Sequence, residues 1–410
     1  MTKTTSYKMT LWFAFILAFI SPPFIFGQMD IVSREIRLFF GLIVILLLIL
    51  KMRKIKTYDL AIFSCIAFFL GFEILRGISE QSNILSYYAV VVVYVLLFIT
   101  LRDNELKKEV FLKLWIHFAY FMSISSIIMF VLHQFTSWNT DFLHFASHCE
   151  TLLSDLRYSL LGTTFVKNFG FFTMTRSQSY FIEPQHTAFY FTINVMLARE
   201  INKNGRHKKY LFCNLLAGLL TFSVTFYIAI IIIYIMRTSA RKNKSQLTIM
   251  TIALLLVILP LFIFDEDILF TLFGNSLSTW NISYADRVIR TLNALDILRS
   301  SSVFNFLFGH GVSYTGDADR ALSIGFFHIL VERGLTGLLF VLGMMGVFLR
   351  KNFLGCLICL LYLFAFTWYV NYIFWMGILA LWAGVSIAKS ETLDVNKLGA
   401  VANHGELSPI

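Results

Sequence analysis

The run YLFCNLLAGLLTFSVTFYIAIIIIYIM, residues 210–236, is where the fold is decided. It is largely apolar, with Ser223-Val224-Thr225 near its centre, and it lies between two basic clusters. Lys203, Arg206, Lys208 and Lys209 precede it; Arg237, Arg241, Lys242 and Lys244 follow it. Apolar stretches of about 20 residues cross a bilayer as helices, and short loops rich in Lys and Arg stay in the cytoplasm. A single pass would put the two clusters on opposite sides, whereas two short passes broken near Ser223 keep both inside. Each half gives only about 20 Å of helix, too short to cross alone, so the pair is expected to be re-entrant or tilted. Broken elements of this kind persist only where protein or a wet cavity covers them.

Further apolar runs lie at 9–26, 35–50, 59–76, 84–101, 110–135, 184–201, 246–264, 335–350, 353–370 and 372–388. Together with the broken pair they predict an all-α polytopic membrane protein. It has about 12 transmembrane helices, two of them short or re-entrant, and two large structured periplasmic loops. The expected division is N-terminal helices over 1–135, a first long loop over 136–183 and central helices over 184–264, the broken pair at 210–236 among them. A second long loop over 265–334, C-terminal helices over 335–388 and a disordered cytoplasmic tail over 389–410 complete it. Composition agrees: 58% of the 410 residues are hydrophobic and 14% charged, where soluble domains carry about 25% charged residues. The run 9–26 follows Lys3 and Lys8 and leads into Ser21-Pro22-Pro23 without a small-residue cleavage site, which reads as an uncleaved signal anchor. The net charge of +10 is no nucleic-acid footprint, because its clusters, Lys51, Arg53, Lys54 and Lys56 included, are links between apolar runs. Cys65, Cys213, Cys356 and Cys359 fall in apolar sequence and Cys149 in a polar loop, so Cys356-x-x-Cys359 reads as helix packing.

Loops as long as the two external segments are usually functional, and both mix aromatic residues, glycine and a few charges. The first ends in Arg176-Ser-Gln-Ser-Tyr-Phe-Ile-Glu183-Pro184-Gln-His186. Pro184 suits the first position of a helix and Glu183 its cap; the free N–H groups there, beside Arg176, suit a phosphate group, although capping alone also explains the residues. In the second segment Arg287 and Arg290 share a helix face, as phosphate ligands or as snorkelling interfacial residues. Gly309-His310-Gly311 permits a tight turn. One helical turn separates His328 from Glu332, a carboxylate able to orient the imidazole as a general base; a partly buried interface histidine is the alternative. His144-x-x-x-His148 has metal-ligand spacing but lacks the neighbouring Glu of zinc proteases, so no metal is expected. Trp138, Trp280, Tyr284 and Tyr314 suit sugar stacking or an interfacial aromatic belt.

Taken together, Gly309-His310-Gly311, then His328, then Glu332-x-Gly334-Leu-x-Gly337 at the start of a span resemble the signature region of the O-antigen polymerase and ligase superfamily. Arg287 stands upstream of the glycine turn where that superfamily has an arginine, and Arg176 ahead of Phe181-x-Glu183-Pro184 is similar to its Arg-then-Pro element. Two positions depart from the pattern: Val224 follows Ser223 where many relatives have Arg, and Ile329 follows His328 where Asn is common.

The resemblance implies a bacterial inner-membrane glycosyltransferase with both termini cytoplasmic and its site periplasmic. Such an enzyme joins undecaprenyl-diphosphate-linked oligosaccharide repeat units into O-antigen or a related surface polysaccharide. It implies catalysis by His328, with Glu183 as second choice, and diphosphate binding by Arg176, Arg287, Arg290 and His310. Glu332 would orient His328. No cofactor or metal is implied; membrane lipid and a chain-length-regulating copolymerase are the implied partners, and nucleic acid is not. The alternatives are a ligase that moves finished glycan to lipid A core and a lipid-linked oligosaccharide flippase. A flippase should place ionisable groups near the bilayer midplane, and the apolar runs here are nearly free of charge in their centres.

Overall fold

Long apolar runs separated by short polar links favour helices, which close their own backbone hydrogen bonds. The computed structural model describes residues 3–24, 32–52, 55–75, 81–102, 104–135, 156–159, 162–168, 173–181, 183–201, 207–239, 278–311, 314, 322, 324–350 and 352–404. The first helices are α1 Lys3–Ile20, α2 Arg34–Ile49, α3 Thr57–Leu75, α4 Gln81–Arg102 and α5 Glu105–Phe135. Strands β1 Leu156–Ser159, β2 Gly162–Asn168 and β3 Thr173–Ser179 follow, paired antiparallel in that order. Then come α6 Pro184–Ile201, α7 Lys208–Leu219, α8 Val224–Ser239, α9 Ser278–Ser300, α10 Val303–Phe308, α11 Gly325–Leu349, α12 Phe353–Leu363 and α13 Tyr372–His404. The protein is thus mostly helical. Among the described residues α5 and α11 are long and apolar enough to cross a membrane, and shorter apolar helices accompany them.

At the middle of the molecule α13 packs on α4, α5 and α6, while α7 lies against α5 and α6. Trp115, Tyr190 and Trp375 are fully buried there. Neutral polar groups in this core pair across helices, although the Tyr190 and Tyr372 hydroxyls are buried without a partner. Trp115 Nε1 and Tyr210 OH each donate to Asn194 Oδ1 at 2.8 Å, joining α5, α7 and α6. Thr192 Oγ1 and Tyr362 OH, 2.8 Å apart, join α6 to α12.

Charge gathers at one end. Lys51 Nζ donates to Ser6 Oγ, and Lys107 Nζ donates to the Lys51 carbonyl at 3.1 Å. Arg102 grips Asp59 with hydrogen bonds of 2.6 and 3.1 Å. Lys108 pairs with Glu105 at 2.7 Å and reaches Ser386 at 3.1 Å. The starts of α1, α3 and α5 therefore lie beside the ends of α2 and α4 and the Ser386 turn of α13. The opposite end holds the Phe24–Phe181 bridge, the sheet, the α7–α8 break and the link between α12 and α13.

The break expected near Ser223 lies at Leu220–Ser223. Phe222 takes φ 46° there, a left-handed conformation uncommon for a bulky residue. β3 holds it in place: Ser177 N donates to the Leu220 carbonyl at 2.9 Å, and Arg176 donates to the next two carbonyls.

Several expectations need amending. The described part of the first long loop is a sheet, so the chain is not purely α. Its strands dock on the last turns of α5 through hydroxyl groups: Ser177 Oγ donates to the Ser126 carbonyl at 2.9 Å, and Ser179 Oγ to that of Met122 at 3.1 Å. Thr175 N donates to Gln134 Oε1 at 2.8 Å, and His133 Nδ1 meets Thr164 Oγ1. α11 begins at Gly325 rather than at 335, and Gly334, at φ 67° and ψ −172°, interrupts it where the span was expected to start. The run 353–370 resolves into α12, a turn and a short 3-10 helix, Trp368–Val370. α13 continues to His404, so the tail expected to be disordered from 389 is helical over that stretch. The span expected at 246–264 lies outside the described residues.

Candidate functional site

His328 sits in the first turn of α11, where its backbone N–H donates to the Ile324 carbonyl. Its Nδ1 lies 2.7 Å from Tyr369 OH and 3.6 Å from Glu332 Oε2. The first is a hydrogen bond and the second is longer than one. Glu332 is buried at 5% exposure, one turn further along the same face. Tyr369 belongs to the short 3-10 helix before α13 and was not read from the sequence as part of a site. Nδ1 therefore meets the phenol at hydrogen-bond distance, with the Glu332 carboxylate just beyond it.

The glycine turn is built into the same cluster. His310 N donates to the Val331 carbonyl at 2.8 Å, and Gly311 N to the Glu332 carbonyl at 2.9 Å. These are carbonyls that the interruption at Gly334 releases from the helix. A side chain at Gly309 would collide with the Glu332 carbonyl and the Arg333 nitrogen, and one at Gly334 with the backbone of Leu307 and Gly309. Both residues hold positive φ, so glycine answers conformation and close approach together. Thr336 Oγ1 completes the contact by donating to the Leu307 carbonyl at 2.8 Å. The His310 ring stacks on Tyr314 at 4.4 Å, and its Nε2 lies 2.7 Å from Ser301 Oγ.

The arginines divide. Arg290 is partly buried on α9, beside buried Thr291 and Ala294, and α9 packs on α11. Arg287 lies three residues earlier in α9; its side chain, like those of Trp280 and Tyr284, is outside the described residues, as are Trp138, His144, His148 and Cys149. Arg176 belongs to a separate group: Nε donates to the Thr221 carbonyl at 2.9 Å and Nη2 to that of Phe222 at 3.2 Å. Those donors serve the broken element, which leaves Arg176 fewer for a phosphate than the sequence suggested. Arg333, passed over in the sequence, is buried at 8% exposure; Nη1 donates to Tyr88 OH at 3.2 Å and the guanidinium lies 5.5 Å over that ring. Its position beside Glu332 at a glycine kink was the available signal.

Glu183 precedes α6 and is 56% exposed, with Oε2 3.6 Å from His186 Nδ1. The His186 ring packs on Phe366 and Phe374 at 4.6 and 5.9 Å. A side chain at Gly325, the first residue of α11, would strike the Phe366 carbonyl. The link between α12 and α13 therefore touches the starts of both α6 and α11, and brings Glu183 and His186 to the region of His328.

No protein-family model matches this chain, and neither a curated protein nor a solved structure does. Fold and site together define a class: a mostly helical protein with apolar helices able to cross a membrane. An imidazole, a phenol and a buried carboxylate meet at the end away from its basic links.

Proposed function

We propose that the protein is a polytopic inner-membrane glycosyltransferase that polymerises polyprenyl-diphosphate-linked oligosaccharide units at the periplasmic face. The observation that carries this reading is the His328–Tyr369–Glu332 cluster locked onto the glycine turn, at the end opposite the basic links. Basic links stay cytoplasmic, so the cluster faces the periplasm. In the reaction an acceptor hydroxyl attacks the anomeric carbon of the donor sugar. The bond from that carbon to the diphosphate oxygen breaks, and the hydroxyl proton passes to His328 Nε2. The diphosphate leaves with the electron pair, and Arg287, Arg290 and His310 are assigned to its developing charge. Arg176 acts through the α7–α8 break that it holds. Among the described residues the buried ion-forming side chains, Asp59, Lys108, His133, Glu332 and Arg333, lie toward the two ends, with neutral pairs between them. That distribution favours surface chemistry over a transport path.

The test is the glycolipid ladder of a deletion strain complemented by wild type or by His328→Ala. Polymerase loss leaves single repeat units on the lipid core. Bare core with accumulated lipid-linked glycan would identify the ligase instead, and an unchanged ladder would end the proposal.

A further inference from the structure

We propose that His186 is a second sugar-facing imidazole, whose Nε2 accepts a hydrogen bond from a hydroxyl of the acceptor unit while Glu183 holds its Nδ1 proton. This rests on the transfer reading above and changes the part of Glu183 from reserve base to positioning residue.

His186 lies in the first turn of α6, and its ring occupies an aromatic slot, edge-on to Phe366 and parallel to Phe374. Nδ1 is buried and has no hydrogen-bond partner. Such a slot suits a phenyl ring at least as well, and an imidazole nitrogen deprived of water without a replacement bond counts against folding. A polar ring is thus retained where packing does not ask for one. Glu183 Oε2 lies 3.6 Å from Nδ1, on a side chain exposed enough that a rotation shortens the gap. Hydrogen bonds of this kind are commonly long before substrate binds and tighten afterwards. The exposed remainder of the His186 side chain, 13%, excludes Nδ1, and Nε2 is the ring's other polar atom.

Position ties the ring to the proposed reaction. Phe366 packs on His186 and its carbonyl abuts Gly325, while Tyr369, in the same link, takes His328 Nδ1. Two imidazoles, each with Nδ1 turned to its own carboxylate, therefore flank one short segment. A sugar acceptor carries neighbouring hydroxyls, so one imidazole can take the reacting proton while the other fixes the ring by an adjacent hydroxyl. No bond is made or broken at His186. The carboxylate beside it weighs against an anion-binding role.

The experiment uses the full-length protein in membranes, lipid-linked glycan as donor and a water-soluble repeat-unit analogue as varied acceptor. His186→Phe keeps a ring in the slot and removes both nitrogens. Its KM for the acceptor should rise at least about tenfold, with thermal stability kept or raised. His186→Gln should recover part of the loss, and Glu183→Gln should raise the same KM less. Wild-type kinetics in His186→Phe overturn the inference. So does a loss of activity in both His186 variants that tracks loss of folded protein. A wild-type protein that transfers nothing overturns the transfer reading itself, and this inference with it.

Discussion

Tyr369 and His328 show what a single contact decides. A phenol 2.7 Å from Nδ1 constrains the orientation and tautomer of the imidazole, and Tyr369→Phe removes that constraint without changing ring volume. Removing a general base costs about 100- to 10,000-fold, so His328→Ala should nearly abolish polymer in a membrane assay; Tyr369→Phe should leave a measurable fraction. At Gly309 and Gly334 even one methyl group meets backbone, which cannot yield as a side chain can. Gly334→Ala should cost about 1–3 kcal/mol or more, read as a lower unfolding temperature in detergent. His328, Glu332 and both glycines could be named from the sequence because their spacing is short and local. Tyr369, Arg333 and His186 could not be assigned roles: they matter through neighbours far along the chain, and an aromatic-rich sequence hides one tyrosine among 17.

Among the elements, the α7–α8 break best shows a sequence signal and its structural cause meeting. Opposed basic clusters demanded a reversal, and the polar residues at its centre marked the place. What they did not show is that β3 supplies the clasp. Arg176→Ala should speed amide hydrogen exchange over 219–224, and Arg176→Lys should not restore protection, because one ammonium cannot reproduce the planar fork onto two carbonyls. The sheet itself escaped the reading. Its strands are short and rich in Ser and Thr, and they bury hydroxyls against α5 instead of presenting the apolar alternation that announces a strand. α5 has 31 residues, about 46 Å of helix, so it outruns a hydrocarbon core of about 30 Å. The strands dock along its second half, from Met122 to Gln134.

For the whole molecule, the gathering of the described basic links Lys51, Lys107 and Lys108 at one end follows from where such links stand in the sequence. It leads to a labelling test. Glu105 and Glu183, 57% and 56% exposed, stand at opposite ends. An impermeant maleimide should reach Glu183→Cys in spheroplasts and Glu105→Cys only after the membrane is opened; labelling of both from one side would end the two-faced reading. Asp59→Asn leaves Arg102 without its carboxylate and should cost about 3–5 kcal/mol, again measured as thermal unfolding. The interlocked glycines carry a mechanical consequence. The half of α11 that bears His328 shares its backbone hydrogen bonds with the turn that bears His310, so the two travel as one cassette. Any displacement of that cassette would carry His328, Glu332 and His310 together, while Tyr369, on the separate link between α12 and α13, would stay behind.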